Sequence, residues 1–120
     1  MAAFDVLGNP VRRRILELLA GGPQTSGAIV EAIQREVDIS QPGVSQHLGV
    51  LRDSGFASVR TEGSRRLYEL APDGFGAVDA WLARVRGTWT QRLDALATEV
   101  ARGKRERRLR RGKEPVRRRA

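Results

Sequence analysis

Residues 40–52 read Ser-Gln-Pro-Gly-Val-Ser-Gln-His-Leu-Gly-Val-Leu-Arg, mixing small residues with neutral hydrogen-bonding side chains. On a helix, Val44, Leu48 and Leu51 fall together and must face a core. Pro42, Gln46, Gly49 and Asp53 lie opposite, with Gln41, Ser45 and Arg52 along one flank. Ser and Gln can each donate to and accept from base edges, and small neighbours let a helix sit deep in a major groove. The start of such a helix can also meet a phosphate. A polar outer face suits an inert, solvated helix as well, so this pattern alone leaves both readings open.

A second group favours the first. Arg60, Arg65 and Arg66 cluster around Gly63-Ser64, a glycine-containing turn between two alternating segments. A basic hairpin tip beside a groove-reading helix can touch the backbone or the minor groove; a solvated hairpin with idle arginines is the alternative. Tyr68 and Leu70 share one face of the second strand and are expected to anchor the hairpin to the core. The sole histidine, His47, falls at the edge of the apolar face of residues 40–52 and is read as a half-buried, hydrogen-bonded structural residue. With no cysteine, one histidine, no nucleophile–base pair and no Gly-rich phosphate loop, neither an enzyme nor a metal site or other cofactor is expected. The last helix offers Asp73, Asp79, Asp94 and Glu99 without an imidazole, a poor transition-metal set.

These groups need a scaffold. Asn9-Pro10 opens a helix with Val11, Ile15, Leu18 and Leu19 on one side, and Gly21-Gly22-Pro23 stops it. A short helix over Ala2–Leu7 would put Phe4 and Leu7 on one side. Thr25 or Ser26 caps the next helix, whose apolar face is Ile29, Ile33 and Val37. Ser40 caps a third helix that holds Pro42 in its first turn, runs to about Ser54 and ends at Gly55. Strands follow over Ala57–Glu62 and Arg65–Leu70. Pro72-Asp73 restarts a helix that runs to about Arg102. The order is three helices, a hairpin and a long helix: mainly α with a small β-hairpin, a winged helix-turn-helix.

The 120 residues, 40% apolar and 30% charged, fit one soluble domain with extra charge. No stretch is apolar enough for a membrane span. The start, Met1 to Asp5, lacks a basic leader before a long apolar stretch, so no signal peptide is expected. The missing cysteines fit a cytoplasmic protein. The net charge is +8, yet residues 102–120 hold eleven of the 22 basic residues and only two acids, Glu106 and Glu114. Residues 1–101 therefore carry −1. The division expected is a folded domain over 1–101 and a basic, flexible tail over 102–120. Such a run is a polyanion arm in some proteins and a solvated tail in others.

Leu7-x-x-Pro10-x-Arg12-x-x-Ile15-Leu16-x-x-Leu19 resembles the opening motif of the ArsR/SmtB family of repressors. Pro42-x-Val44-Ser45-Gln46-His47-Leu48-x-x-Leu51-Arg52-x-x-Gly55 is similar to that family's recognition helix, and Gly63-x-Arg65-Arg66-x-Tyr68-x-Leu70 to its wing. The resemblance covers about residues 4–100. It implies a winged-helix homodimer that binds double-stranded DNA at an inverted-repeat operator and usually represses transcription. It places Ser40, Gln41, Ser45 and Gln46 against DNA; Pro42, Arg52, Arg60, Arg65 and Arg66 complete the expected DNA-binding set. Gly49 departs from the lysine often found there, which leaves one backbone contact in question. Trp81 and Trp89 resemble positions of a metal-free subgroup. Trp81, Leu82, Val85, Trp89, Leu93 and Leu96 give the last helix more apolar surface than one face can bury, and a symmetric partner would cover it. In the family that helix and the segment around Phe4 and Leu7 form the dimer. A small-molecule effector in that interface, or none, is left open. The alternative function is a winged-helix module that binds RNA or a protein, with the Arg-rich tail as a general polyanion contact.

Overall fold

In the computed structural model, which describes residues 2–113, capping side chains fix where three of the helices begin. After α1 (Ala3–Leu7), Asn9 caps α2 (Pro10–Ala20): its Oδ1 accepts from the backbone N–H of Val11 at 2.8 Å and of Arg12 at 3.1 Å. Thr25, rather than Ser26, caps α3 (Ser26–Glu36) through the N–H of Ala28 at 3.2 Å. Ser40 caps α4 (Gln41–Asp53) through the N–H of Gly43 at 3.2 Å. Each cap satisfies donors that the first helical turn leaves without partners.

The hairpin strands, which follow β1 in chain order, are β2 (Ala57–Glu62) and β3 (Arg65–Leu70). They pair antiparallel from Ala57 opposite Leu70 to Glu62 opposite Arg65, and Gly63 turns between them at φ +61°. A two-residue β1 (Gln24–Thr25), too short to signal itself in the sequence, adds to the far side of β3, with Gln24 opposite Tyr68. The sheet order is β1-β3-β2, so β3 is central.

The core is built from Val6 of α1, Ile15, Leu16 and Leu19 of α2, Ile29 and Ile33 of α3, Val44, Leu48 and Leu51 of α4, and Phe56, Ala57 and Tyr68 of the sheet region. Two residues expected inside are not. Val37 sits at the C-cap of α3 in extended conformation (φ −139°), and leaving the helix carries it off the apolar face; it is 43% exposed. Leu70, at the end of β3, is 37% exposed, so within β3 it is Tyr68 that reaches the core, beside Ala57 of β2. Arg12 and Arg13 join α1 to α2. Arg12 Nε donates to the carbonyl of Val6 at 2.8 Å and its Nη2 to that of Asp5 at 3.1 Å, and Arg13 Nη1 donates to that of Leu7 at 2.6 Å. Cations there suit the negative end of α1 and satisfy the carbonyls of Val6 and Leu7, while that of Asp5 also accepts the N–H of Gly8 at 3.3 Å.

The last helix, α5 (Phe75–Lys113), has 39 residues, which at 1.5 Å per residue is about 58 Å. It starts later than Pro72-Asp73, because the carbonyl of Pro72 first closes a turn with the N–H of Phe75 at 3.1 Å. It continues past the boundary drawn at Arg102. Arg117, Arg118, Arg119 and Glu114 of the expected tail lie outside the described residues. The chain divides into two units, 1–81 and 82–120, each described by itself below.

Candidate nucleic-acid interface

The two faces of α4 separate as its sequence periodicity predicts. Val44 and Leu51 are fully buried and Leu48 nearly so, while Gln41, Pro42, Ser45, Gln46 and Arg52 are exposed. The buried face fixes the helix, and the exposed face presents amide, hydroxyl and guanidinium groups to solvent. Near the helix start a Cβ on Gly43 would come 2.9 Å from Cγ1 of Ile39, so that glycine lets the preceding chain fold close beneath α4. Ser40 uses one hydroxyl lone pair to accept the Gly43 N–H, which leaves its O–H as a donor and its second lone pair as an acceptor. Further along, a Cβ on Gly49 would meet nothing within 4 Å: the outer surface of α4 is open there.

His47 is half-buried at the edge of that helix. Burial, and secondarily the positive charge of Arg12, hold its pKa below the ordinary imidazole value. Its ring makes no hydrogen bond among the described residues, which corrects the hydrogen-bonded expectation. Arg52 leans on its neighbour Asp53 at 3.2 Å, with both side chains exposed.

The wing lies in the same unit, and its β2 packs on α4. Its three arginines are not equivalent. Arg60 reaches Glu69 on the adjacent strand at 3.4 Å, so its charge is partly answered. Arg66 lies over the ring of Tyr68, 5.9 Å from the centroid, and Arg65 stands exposed at the turn; neither forms an ion pair among the described residues. Sequence spacing alone cannot separate Arg60 from the other two, because the Glu69 contact depends on strand register. Arg12 and Arg13, which set α1 against α2, carried no such role in the periodicity; Arg12 appeared only as a motif position.

The residues expected at a dimer interface are apolar and accessible. In the first unit Phe4 and Trp81 are 49% and 43% exposed and meet edge to face, with ring centroids 5.4 Å apart. Leu7 is half-buried against the core. In the second unit Val85, Trp89, Leu93 and Leu96 are all exposed, Trp89 at 60%, and Leu82 is half-buried.

A family model described as a helix-turn-helix domain matches residues 7–60. The HTH-type transcriptional regulator Rv2034 of Mycobacterium tuberculosis is 38% identical over 95 residues, covering 79% of this chain and 82% of that protein. The crystal structure of an ArsR family transcriptional regulator superposes with a TM-score of 0.63 at 31% identity, over 73% of this chain and 87% of the other. The homodimeric winged helix-turn-helix DNA-binding domain of Mb0332 from Mycobacterium bovis, a possible ArsR-family transcriptional regulator, gives a TM-score of 0.54 at 28% identity, over 71% of this chain and 75% of that one.

Proposed function

The chain belongs to the ArsR family of winged-helix transcriptional regulators, and on that premise we propose that it binds an inverted-repeat operator as a homodimer and represses transcription. One observation carries this: the exposed Gln41, Ser45 and Gln46 stand on a helix whose opposite face is locked into the core, beside a wing whose Arg65 and Arg66 form no ion pair among the described residues. Entering the major groove, α4 offers Ser45 and Gln46 to base edges, with Gln41 and Ser40 near the phosphates at the helix start. Arg65 and Arg66 take the backbone or minor groove beside it. Arg60 and Arg52 assist weakly, since each must first leave a carboxylate.

Two-fold symmetry then requires two half-sites about one helical turn apart, or a multiple of it. The exposed stripe of α5 and the Phe4–Trp81 pair supply apolar surface for a second copy, in line with the homodimeric relative. Operator release falls to a small organic effector where one exists; zinc, nickel or copper should leave operator affinity unchanged, because the chain has no cysteine and one histidine. No catalytic role is assigned. The site of action is the cytoplasm, where the operator lies; no described helix is long and apolar enough to cross a membrane.

The test is a footprint over the region upstream of the protein's own gene, repeated with Ser45→Ala and Gln46→Ala. Protection of an inverted repeat is expected, with each substitution costing about 1–3 kcal/mol on that site and little on random DNA. Equal losses on both would remove these side chains from base readout. Indifference to sequence, with RNA bound as well as DNA, would favour the general polyanion module.

A further inference from the structure

The distal part of α5 is helical through Lys113, yet it is too charged to be stabilised by burial. Residues 102–113 contain eight basic residues and one acid, Glu106. At 100° per residue these charges do not spread evenly. Glu99 and Glu106 fall on the same side as Arg102 and Arg110, and Glu106 is four residues from each, the spacing at which opposite charges attract. Of the other basic residues up to Arg110, Lys104, Arg105, Arg107 and Arg108 occupy the other side without a carboxylate among them, and all four are exposed.

That face works against its own helix. Lys104 is three and four residues from Arg107 and Arg108, and Arg105 is three from Arg108, so like charges are stacked on successive turns. A row of phosphates would turn each repulsion into an attraction. Residues 1–101 carry only −1, so the part of the chain that holds α4 and the wing supplies no net positive charge of its own. No aromatic residue follows Trp89, which removes the stacking surface that single strands need. Leu109 is the one large apolar side chain of the segment, too little for insertion into a lipid surface.

We propose that residues 102–113 of α5 form a helical phosphate-binding arm, and that its Lys104-Arg105-Arg107-Arg108 face meets the backbone of duplex DNA. The arm rests on the DNA-binding function above and adds to it a second, sequence-blind contact. It lends affinity to any duplex and leaves the choice of sequence to α4. Arg102 and Arg110, beside Glu106, contribute much less.

The experiment compares the full chain with two variants, one carrying Lys104, Arg105, Arg107 and Arg108→Gln, the other Arg102 and Arg110→Gln. Each is titrated with the upstream duplex and with a random-sequence duplex across a salt series. Thermal melts confirm that the folded body is unchanged. The four-site variant should lose more than tenfold on both duplexes at low salt. Its log-affinity slope against log salt should flatten by about 3–4 for each arm, at about 0.9 per phosphate contact. The ratio between the two duplexes should hold, and the two-site variant should move far less. A third variant, Arg105, Arg107 and Arg108→Lys, keeps the charge and should keep the slope. Unchanged slopes in the four-site variant overturn the arm, equal losses in the two-site variant overturn its face, and tighter binding to duplex RNA overturns its partner. A full chain that fails to prefer its upstream sequence counts against the operator function instead, and the random duplex still tests the arm.

Discussion

A Cβ on Gly74 would lie 2.7 Å from Cγ and Cδ2 of Phe56 and 2.8 Å from its backbone nitrogen. The two residues close the joint between the end of α4, the start of β2 and the start of α5. Phe56 is fully buried and meets Phe75 edge to face at 4.8 Å, while the N–H of Gly74 donates to the carbonyl of Gly55 at 2.7 Å. Neither the ring nor the backbone nitrogen can retreat without opening the core. Gly74→Ala should therefore destabilise the fold by about 1–3 kcal/mol, the usual cost of overpacking. Urea melts followed by circular dichroism would read this as a lower midpoint. An unchanged midpoint would mean that the joint is looser than these distances imply.

Gly49 is the opposite case. It sits in the middle of α4, and a Cβ there meets nothing. A mid-helix glycine costs about 0.5–1 kcal/mol relative to alanine, so Gly49→Ala should raise stability by that amount. Gly49→Lys should instead add a phosphate contact, tightening cognate and random duplexes alike and steepening the salt slope by about 0.9. If Gly49→Ala stabilises the protein but weakens operator binding, α4 approaches the duplex so closely at residue 49 that even a methyl group interferes.

Much of this was legible in the sequence because it is local. Asn9-Pro10 marks the start of α2 and Ser40 the cap of α4, and the alternation around Gly63-Ser64 gives β2 and β3 their observed bounds. The buried face of α4 followed from its period. The Phe56–Gly74 contact was not legible: Phe56 stands alone before a strand, and Gly74 is needed for closeness rather than for an unusual backbone angle, so no pattern flags either. Val37 fitted the apolar period of α3, but the helix ends before it. The run of α5 beyond Arg102 was missed because charge, not a helix breaker, set the expected boundary; no proline lies between Pro72 and Pro115, and arginine is a good helix former.

His47 links stability to pH. Burial first, and the charge of Arg12 second, depress its folded-state pKa below the unfolded imidazole value of about 6.5. The unfolded chain then binds a proton more readily, so stability rises with pH across that interval. The contribution is complete above about pH 6.5 and is lost as pH falls through the folded value. His47→Gln, which cannot titrate, should flatten the fall in melting temperature between neutral and mildly acidic pH. In the wild type, the imidazole resonance should titrate below the free value by NMR. A titration at or above that value would show that the ring is neither desolvated nor sensitive to Arg12.

The apolar stripe of α5 gives the last prediction. Trp89, Leu93, Leu96 and Val100 recur at three- and four-residue spacing, and each is about half exposed or more, Trp89 most at 60%. Apolar surface removed from water is worth about 25 cal/mol per Å², so a second chain over such a stripe gains several kcal/mol before the cost of association. Alanine is the best helix former, so Trp89→Ala with Leu93→Ala removes the stripe without breaking α5. These side chains take no part in the core formed by residues 1–81, so that unit should keep its fold. The double variant is expected to sediment as a monomer and bind the operator much more weakly. Its melting temperature should lose the dependence on protein concentration that a dimer shows. An unfolded variant would instead mean that the stripe supports the single chain. A variant that stays dimeric and binds as before would place the two-fold interface elsewhere, with the Phe4–Trp81 pair as the next surface to substitute.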